Sequence, residues 1–76
     1  MGYNKNTQHA IGDIPDIHTF EELIDNLMIS EEDKTIMRLH YLDDKNFAFI
    51  ADYLGYSESW IKKRHLRILR KVTKLL

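Results

Sequence analysis

Apolar residues recur at helical spacing along most of the chain from residue 20 onward. Phe20, Leu23, Ile24, Leu27 and Met28 make one apolar face, and Thr19 with Glu22 three residues later reads as a capping box at its start. Ser30-Glu31-Glu32-Asp33 offers a second helix start, with acids suited to the positive end of the helix dipole. Ile36, Met37, Leu39, His40 and Tyr41 continue that helix. Asp43-Asp44-Lys45-Asn46 breaks the pattern; its carboxylates suit a turn and a cap rather than an acid/base pair. Asn46 can cap a helix from Phe47 to Leu54, and a last helix runs from Glu58 to near the C-terminus. No run alternates cleanly between turn residues, so strands are not expected. The pattern predicts an all-α domain of four or five helices over residues 17–76. Residues 1–16 are polar, carry Gly2, Gly12 and Pro15 and show no sustained period, so a flexible N-terminal arm is expected there. With Lys5 its one basic residue, the arm reads as a passive tail.

The sharpest local signal lies between the last two helices. Ile50-Ala51-x-x-Leu54-Gly55-Tyr56-Ser57-x-x-x-Ile61 has the spacing of a helix-turn-helix. Ile50 and Leu54 lie one turn apart and give the first helix its stripe. Ala51 is small enough for the second helix to cross closely. Gly55 can take the left-handed conformation that reverses the chain, and Ser57 can accept a backbone hydrogen bond that starts the next helix. Ile61 then returns to the core.

Charge changes the picture. The net charge of −1 hides a segregated chain. Residues 1–56 carry four Lys/Arg against eleven Asp/Glu, a net of −7; residues 57–76 carry seven Lys/Arg against one Glu, a net of +6. Local charge sets the field that a phosphate backbone meets, so an overall pI of about 6.4 does not argue against nucleic acid. On a helical wheel, Ile61, His65, Ile68, Leu69, Val72, Leu75 and Leu76 share one arc, and Lys63, Arg67, Arg70 and Lys74 lie opposite. Many charged helix faces are simply solvated. Such faces usually mix signs and use Glu–Lys pairs, whereas this one has no acid after Glu58.

Composition narrows the classes. Seventy-six residues with 43% hydrophobic content allow one domain with a small core and no large pocket. There are no cysteines, hence no disulfides and no thiolate zinc site, which fits a reducing, cytoplasmic location. No apolar run approaches membrane-span length, and Met-Gly-Tyr-Asn-Lys does not open like a signal peptide. His9, His18, His40 and His65 lack metal-ligand spacing, and His40 and His65 are expected half-buried at the core edge. No phosphate loop, zincin motif or nucleophile elbow occurs, so neither an enzyme nor a cofactor is expected.

The segment from Ser30 to Val72 resembles region 4 of bacterial sigma factors. Ile36-Met37-Arg38-Leu39-His40-Tyr41, Ile50-Ala51 through Ser57, and Ile61-Lys62 through Ile68-Leu69-Arg70-Lys71-Val72 fit the family's places in order. Helix-turn-helix output domains of response regulators share part of the pattern. The resemblance implies a helix-turn-helix that reads duplex promoter DNA, with RNA polymerase, through its flap, as a second partner. Small sigma-like proteins of this kind occur in phages, prophages and mobile elements. Two positions depart from the family. Trp60 is unusual in its window, and Arg64 stands where the family often has an apolar residue. The target sequence therefore does not carry over, and nothing in the chain resembles the promoter-melting region 2.

The expected DNA-binding residues are Ser57, Ser59, Trp60, Lys62, Lys63, Arg64, Arg67 and Arg70. Lys62 and Lys63 fall in the first two turns of the recognition helix, in reach of base edges or nearby phosphates. Ser59 is short enough for a base or a phosphate. Trp60 is expected at the core edge against the preceding helix, with the groove wall as the other position. Arg67, Arg70 and Lys74 lie farther along and suit phosphates or a protein partner. A single module buries modest surface, so a second copy or a partner such as RNA polymerase is expected. The competing reading is a protein-interaction module, in which Ile68, Leu69, Val72, Leu75 and Leu76 dock on polymerase or form a homodimer.

Overall fold

The computed structural model describes residues 11–12, 14 and 16–75. It contains α1 (Ile17–Asn26), α2 (Glu31–Met37), a π-helical turn Arg38–Leu42 that continues α2, α3 (Phe47–Leu54) and α4 (Glu58–Leu75). No strand occurs among the described residues. Ser30 caps α2 by accepting from Asp33 N at 3.2 Å, and Asn46 caps α3 by accepting from Phe49 N at 2.8 Å, both as the sequence suggests. The cap of α1 differs. Asp16 fills that place, accepting from Thr19 N at 2.7 Å and from the Thr19 hydroxyl at 3.1 Å. A carboxylate is a stronger acceptor than a hydroxyl, so Thr19 becomes a donor to the cap instead of the cap itself. These bonds hold the Asp16 carboxyl below its usual range.

The π turn has no clear sequence signal. Asp43 N bonds back to Arg38 O at 3.1 Å, five residues away, and Lys45 N to Leu39 O at 2.9 Å. The wider turn brings the His40 and Tyr41 rings onto α4. Tyr41 Oη lies 2.7 Å from His65 Nε2, and the His40 ring sits 5.0 Å from that of His65 and 4.5 Å from Phe47.

The core has two parts, both reaching α4. Ile36, Ile50, Ala51 and Ile61 form the smaller, under the helix-turn-helix, with Leu39, Phe47, Leu54 and Trp60 around it. Phe20, Ile24, Leu27, Ile29, Met37, Ile68, Leu69 and Val72 form the larger, where α1 lies against the second half of α4. His65 sits between them on α4 and is buried, not half-buried at the edge. Its neutral ring fits there as the hydrogen-bonding partner of Tyr41. Ile11 is also buried in the larger part and Ile14 packs on it, although both fall in the stretch expected to be an arm; residues 1–10, 13 and 15 lie outside the described ones.

Two apolar residues leave the faces assigned to them. α1 stops at Asn26, and Met28 turns the chain at φ 56°, so its side chain is 86% exposed. Leu75 is 52% exposed because the larger core ends at Val72, one turn earlier; Leu76 lies outside the described residues. Arg38 clamps Glu21 through Nη2 at 2.7 Å and Nε at 2.9 Å, tying α2 to α1. Lys34 reaches Asp25 at 3.0 Å and Glu31 at 3.3 Å.

Positive φ gives the first prediction. Gly55 ends α3 at φ 82°, with no atom within 4 Å of where a Cβ would stand. Gly55→Val should therefore destabilise through backbone strain alone, by about 1–2 kcal/mol. Met28→Gly should move the other way, by less than about 1 kcal/mol, because it relieves the same strain while loosening the unfolded chain. Urea denaturation checks both; equal midpoints for Gly55→Val and wild type would contradict the turn geometry.

The second prediction comes from His65. Burial, with a smaller push from His40, lowers its pKa from 6.5 to about 4. The unfolded chain then binds the proton more readily than the fold. Stability is fully present above about pH 6.5 and falls as pH drops towards 4, by on the order of 3 kcal/mol at the limit. Denaturation at pH 7 and pH 4.5 measures this, and a His65→Gln variant should lose most of the difference.

Candidate nucleic-acid interface

The short turn is built as its residues require. Ala51 O accepts from both Gly55 N and Tyr56 N at 2.9 Å, closing α3 through the left-handed glycine. Ser57 Oγ then accepts from Trp60 N at 3.1 Å and starts α4. Ile61 drops into the core beside Ile36, Ile50 and Ala51, which fixes how α4 crosses α3. The rotation of α4 follows from that anchor.

With Ile61, His65, Ile68, Leu69 and Val72 buried, the opposite face must point to solvent. Ser59, Lys63, Arg67, Arg70 and Lys74 are all exposed and lie within an arc of about 80° at ~100° per residue. The charges of its four cations are free in a way that those of Lys34, Arg38, Lys62 and Arg64 are not. Arg38 and Lys34 are spent on Glu21, Asp25 and Glu31, and Lys45 lies over the Phe49 ring at 4.9 Å. Lys63, Arg67, Arg70 and Lys74 form no ion pair among the described residues. Lys62 is exposed too, but Glu58 one turn earlier holds it at 3.2 Å.

Helix-turn-helix geometry beside a one-signed, unpaired stripe is the arrangement of a DNA-docking module. Residues 27–74 match the family described as Sigma-70, region 4. The chain belongs to that family. No curated protein and no solved structure matches it. As a sigma-70 region 4 domain it is a helix-turn-helix of the DNA-binding, transcription-related type. No helix among the described residues is long and apolar enough to cross a membrane.

In this region 4 domain the remaining expected residues take distinct positions. Ser57 is exposed, but its hydroxyl is committed to the cap. Trp60 is half-buried against the helix-turn-helix core, with Tyr56 stacked on it at 3.9 Å. Arg64 is half-buried and turned off the stripe. Its Nε lies 3.1 Å from Oδ1 of buried Asp33, and its guanidinium carbon sits 4.9 Å over the Trp60 ring. Tyr56 in turn donates to Glu32 Oε2 at 2.8 Å, which raises the phenol pKa and keeps the donor protonated. Two adjacent acids of α2 thus hold the two ends of a Tyr56–Trp60–Arg64 stack. Sequence reading missed this. The four-residue spacing of the stack was visible, but its link to Glu32 and Asp33 crosses 24 or more positions. Trp60, Lys63, Arg64 and Arg67 also line a cleft of about 220 Å³.

Proposed function

We propose that this region 4 domain is a transcription regulator that reads duplex promoter DNA through α4. The observation that carries the reading is the exposed stripe Lys63–Arg67–Arg70–Lys74, free of internal ion pairs and set on the second helix of a helix-turn-helix. In this reading Ser59, Lys62 and Lys63 sit at the entering end and approach base edges or flanking phosphates. Arg67 and Arg70 meet phosphates as later turns leave the groove. Ser57, Trp60 and Arg64 border the contact. The domain acts where promoter DNA is, with a second copy or RNA polymerase supplying the surface that one small module lacks.

The alternative, a module docking on the polymerase flap or a homodimerising adaptor, rests on the apolar side of α4. Ile68, Leu69 and Val72 are part of this domain's own core. Exposed Leu75 is what supports that reading on the same helix.

Binding to matched and mismatched duplexes at several salt concentrations tests the proposal. Lys63→Ala should change which sequences are preferred. Arg67→Ala and Arg70→Ala should weaken all sequences alike, each lowering the slope of log K against log salt by about 0.9. Salt-independent affinity, or no binding, contradicts the proposal.

A further inference from the structure

The Glu32–Tyr56–Trp60–Arg64–Asp33 chain has a consequence for the cleft beside it. Trp60 lies one turn after Tyr56 and one turn before Arg64. The Tyr56 ring stacks on the indole at 3.9 Å with 13° between planes, and the Arg64 guanidinium covers it at 4.9 Å. The indole is thus already occupied by a ring and a guanidinium before any nucleobase could stack on it. The cleft's other walls, Lys63, Arg64 and Arg67, are all cationic. Three cations around a hollow whose aromatic wall is already covered suit an anion, and the one carried by DNA is the backbone phosphodiester.

Arg64 differs from the other two cations of the cleft, Lys63 and Arg67, in being held by an acid of another helix. Asp33 is buried, and its Oδ1 meets Arg64 Nε at 3.1 Å without the alignment of a hydrogen bond. The attraction is therefore mainly between charges in a site with little water, and it fixes the guanidinium where it reaches both the indole and the cleft. A guanidinium held at Nε still has its two Nη groups to offer.

We propose that the cleft of Trp60, Lys63, Arg64 and Arg67 receives one backbone phosphate of duplex DNA, and that Asp33 is the positioning residue that holds Arg64 across Trp60 for it. The proposal rests on the DNA-binding reading above. Asp33 touches no DNA. It acts by restricting a long side chain before binding, so less rotamer freedom is lost when the phosphate arrives.

The sign of one substitution separates this role from simple electrostatics. Asp33→Asn removes a negative charge near the interface. If charge alone mattered, DNA affinity would rise. If Asp33 positions Arg64, affinity falls.

The test uses the full chain and a mixed-sequence duplex. Wild type, Asp33→Asn, Arg64→Ala and the double variant are compared at several salt concentrations, each shown folded by circular dichroism at the working temperature. Arg64→Ala should lower the salt slope by about 0.9. Asp33→Asn should weaken binding about fivefold in the wild-type background and not at all in the Arg64→Ala background. A purely structural role would give the same loss in both. Emission from Trp60, the chain's single tryptophan, reads the holding step without DNA. Asp33→Asn and Arg64→Ala should shift it to the red alike as water replaces the guanidinium. An unchanged spectrum in Asp33→Asn overturns the positioning role even when wild type binds DNA normally. A gain in affinity on Asp33→Asn, or an equal loss in both backgrounds, does the same. Wild type that binds no duplex, with the expected emission shifts intact, overturns the phosphate assignment together with the DNA reading and leaves the Asp33–Arg64–Trp60 contact standing.

Discussion

The burial of one face of α4 in both parts of the core is the constraint on which the rest of the structure depends. Ile61 packs under the helix-turn-helix, while Ile68, Leu69 and Val72 pack against α1. Eighteen residues at ~1.5 Å each make this helix about 27 Å long, enough to run past both clusters. Because two separate clusters hold the same face, α4 cannot rotate without opening one of them. Removing a large aliphatic side chain from such a site costs about 2–5 kcal/mol. The basic stripe opposite is therefore a rigid surface. His65 stands where the clusters meet, bonded to Tyr41, and joins them through a polar contact that stays intact while the ring is neutral.

Charge segregation follows the same geometry. The acids of α1 and α2 neutralise Lys34 and Arg38, at Glu21–Arg38, Asp25–Lys34 and Glu31–Lys34. They also reach across to α4, where Asp33 takes Arg64. The stripe of Lys63, Arg67, Arg70 and Lys74 lies on the far side of the helix and escapes them. A net charge near zero is thus compatible with a strongly positive face, since internal pairs on one side leave positive charge on the other.

Much of this was legible in the sequence because the signals are local. Helical periodicity, the caps at Ser30, Asn46 and Ser57, and the turn at Gly55 all depend on residues within a few positions of one another, and the boundaries of α3 and α4 follow from them. The family resemblance rested on the same segments and holds over residues 27–74. What was not legible depends on longer range or on competition between neighbours. Asp16 displaced Thr19 because two residues three positions apart could both cap α1 and the carboxylate binds better. Met28 left its face because the helix stopped two residues earlier. The π turn at Arg38–Leu42 answers to His65, 23 or more positions away. Arg64 looked like one more cation of a basic run until Asp33, from another helix, came beside it.

The central claim is that DNA meets the face of α4 opposite the two clusters. The most direct measurement is a titration of the labelled domain with duplex DNA, following backbone amide shifts residue by residue. The account predicts that Ser59, Lys63, Arg67 and Arg70 move most and that Glu22 and Asp25 on α1 stay in place, with the shifts shrinking as salt is raised. Shifts centred on α1, or spread evenly over the domain, would contradict it.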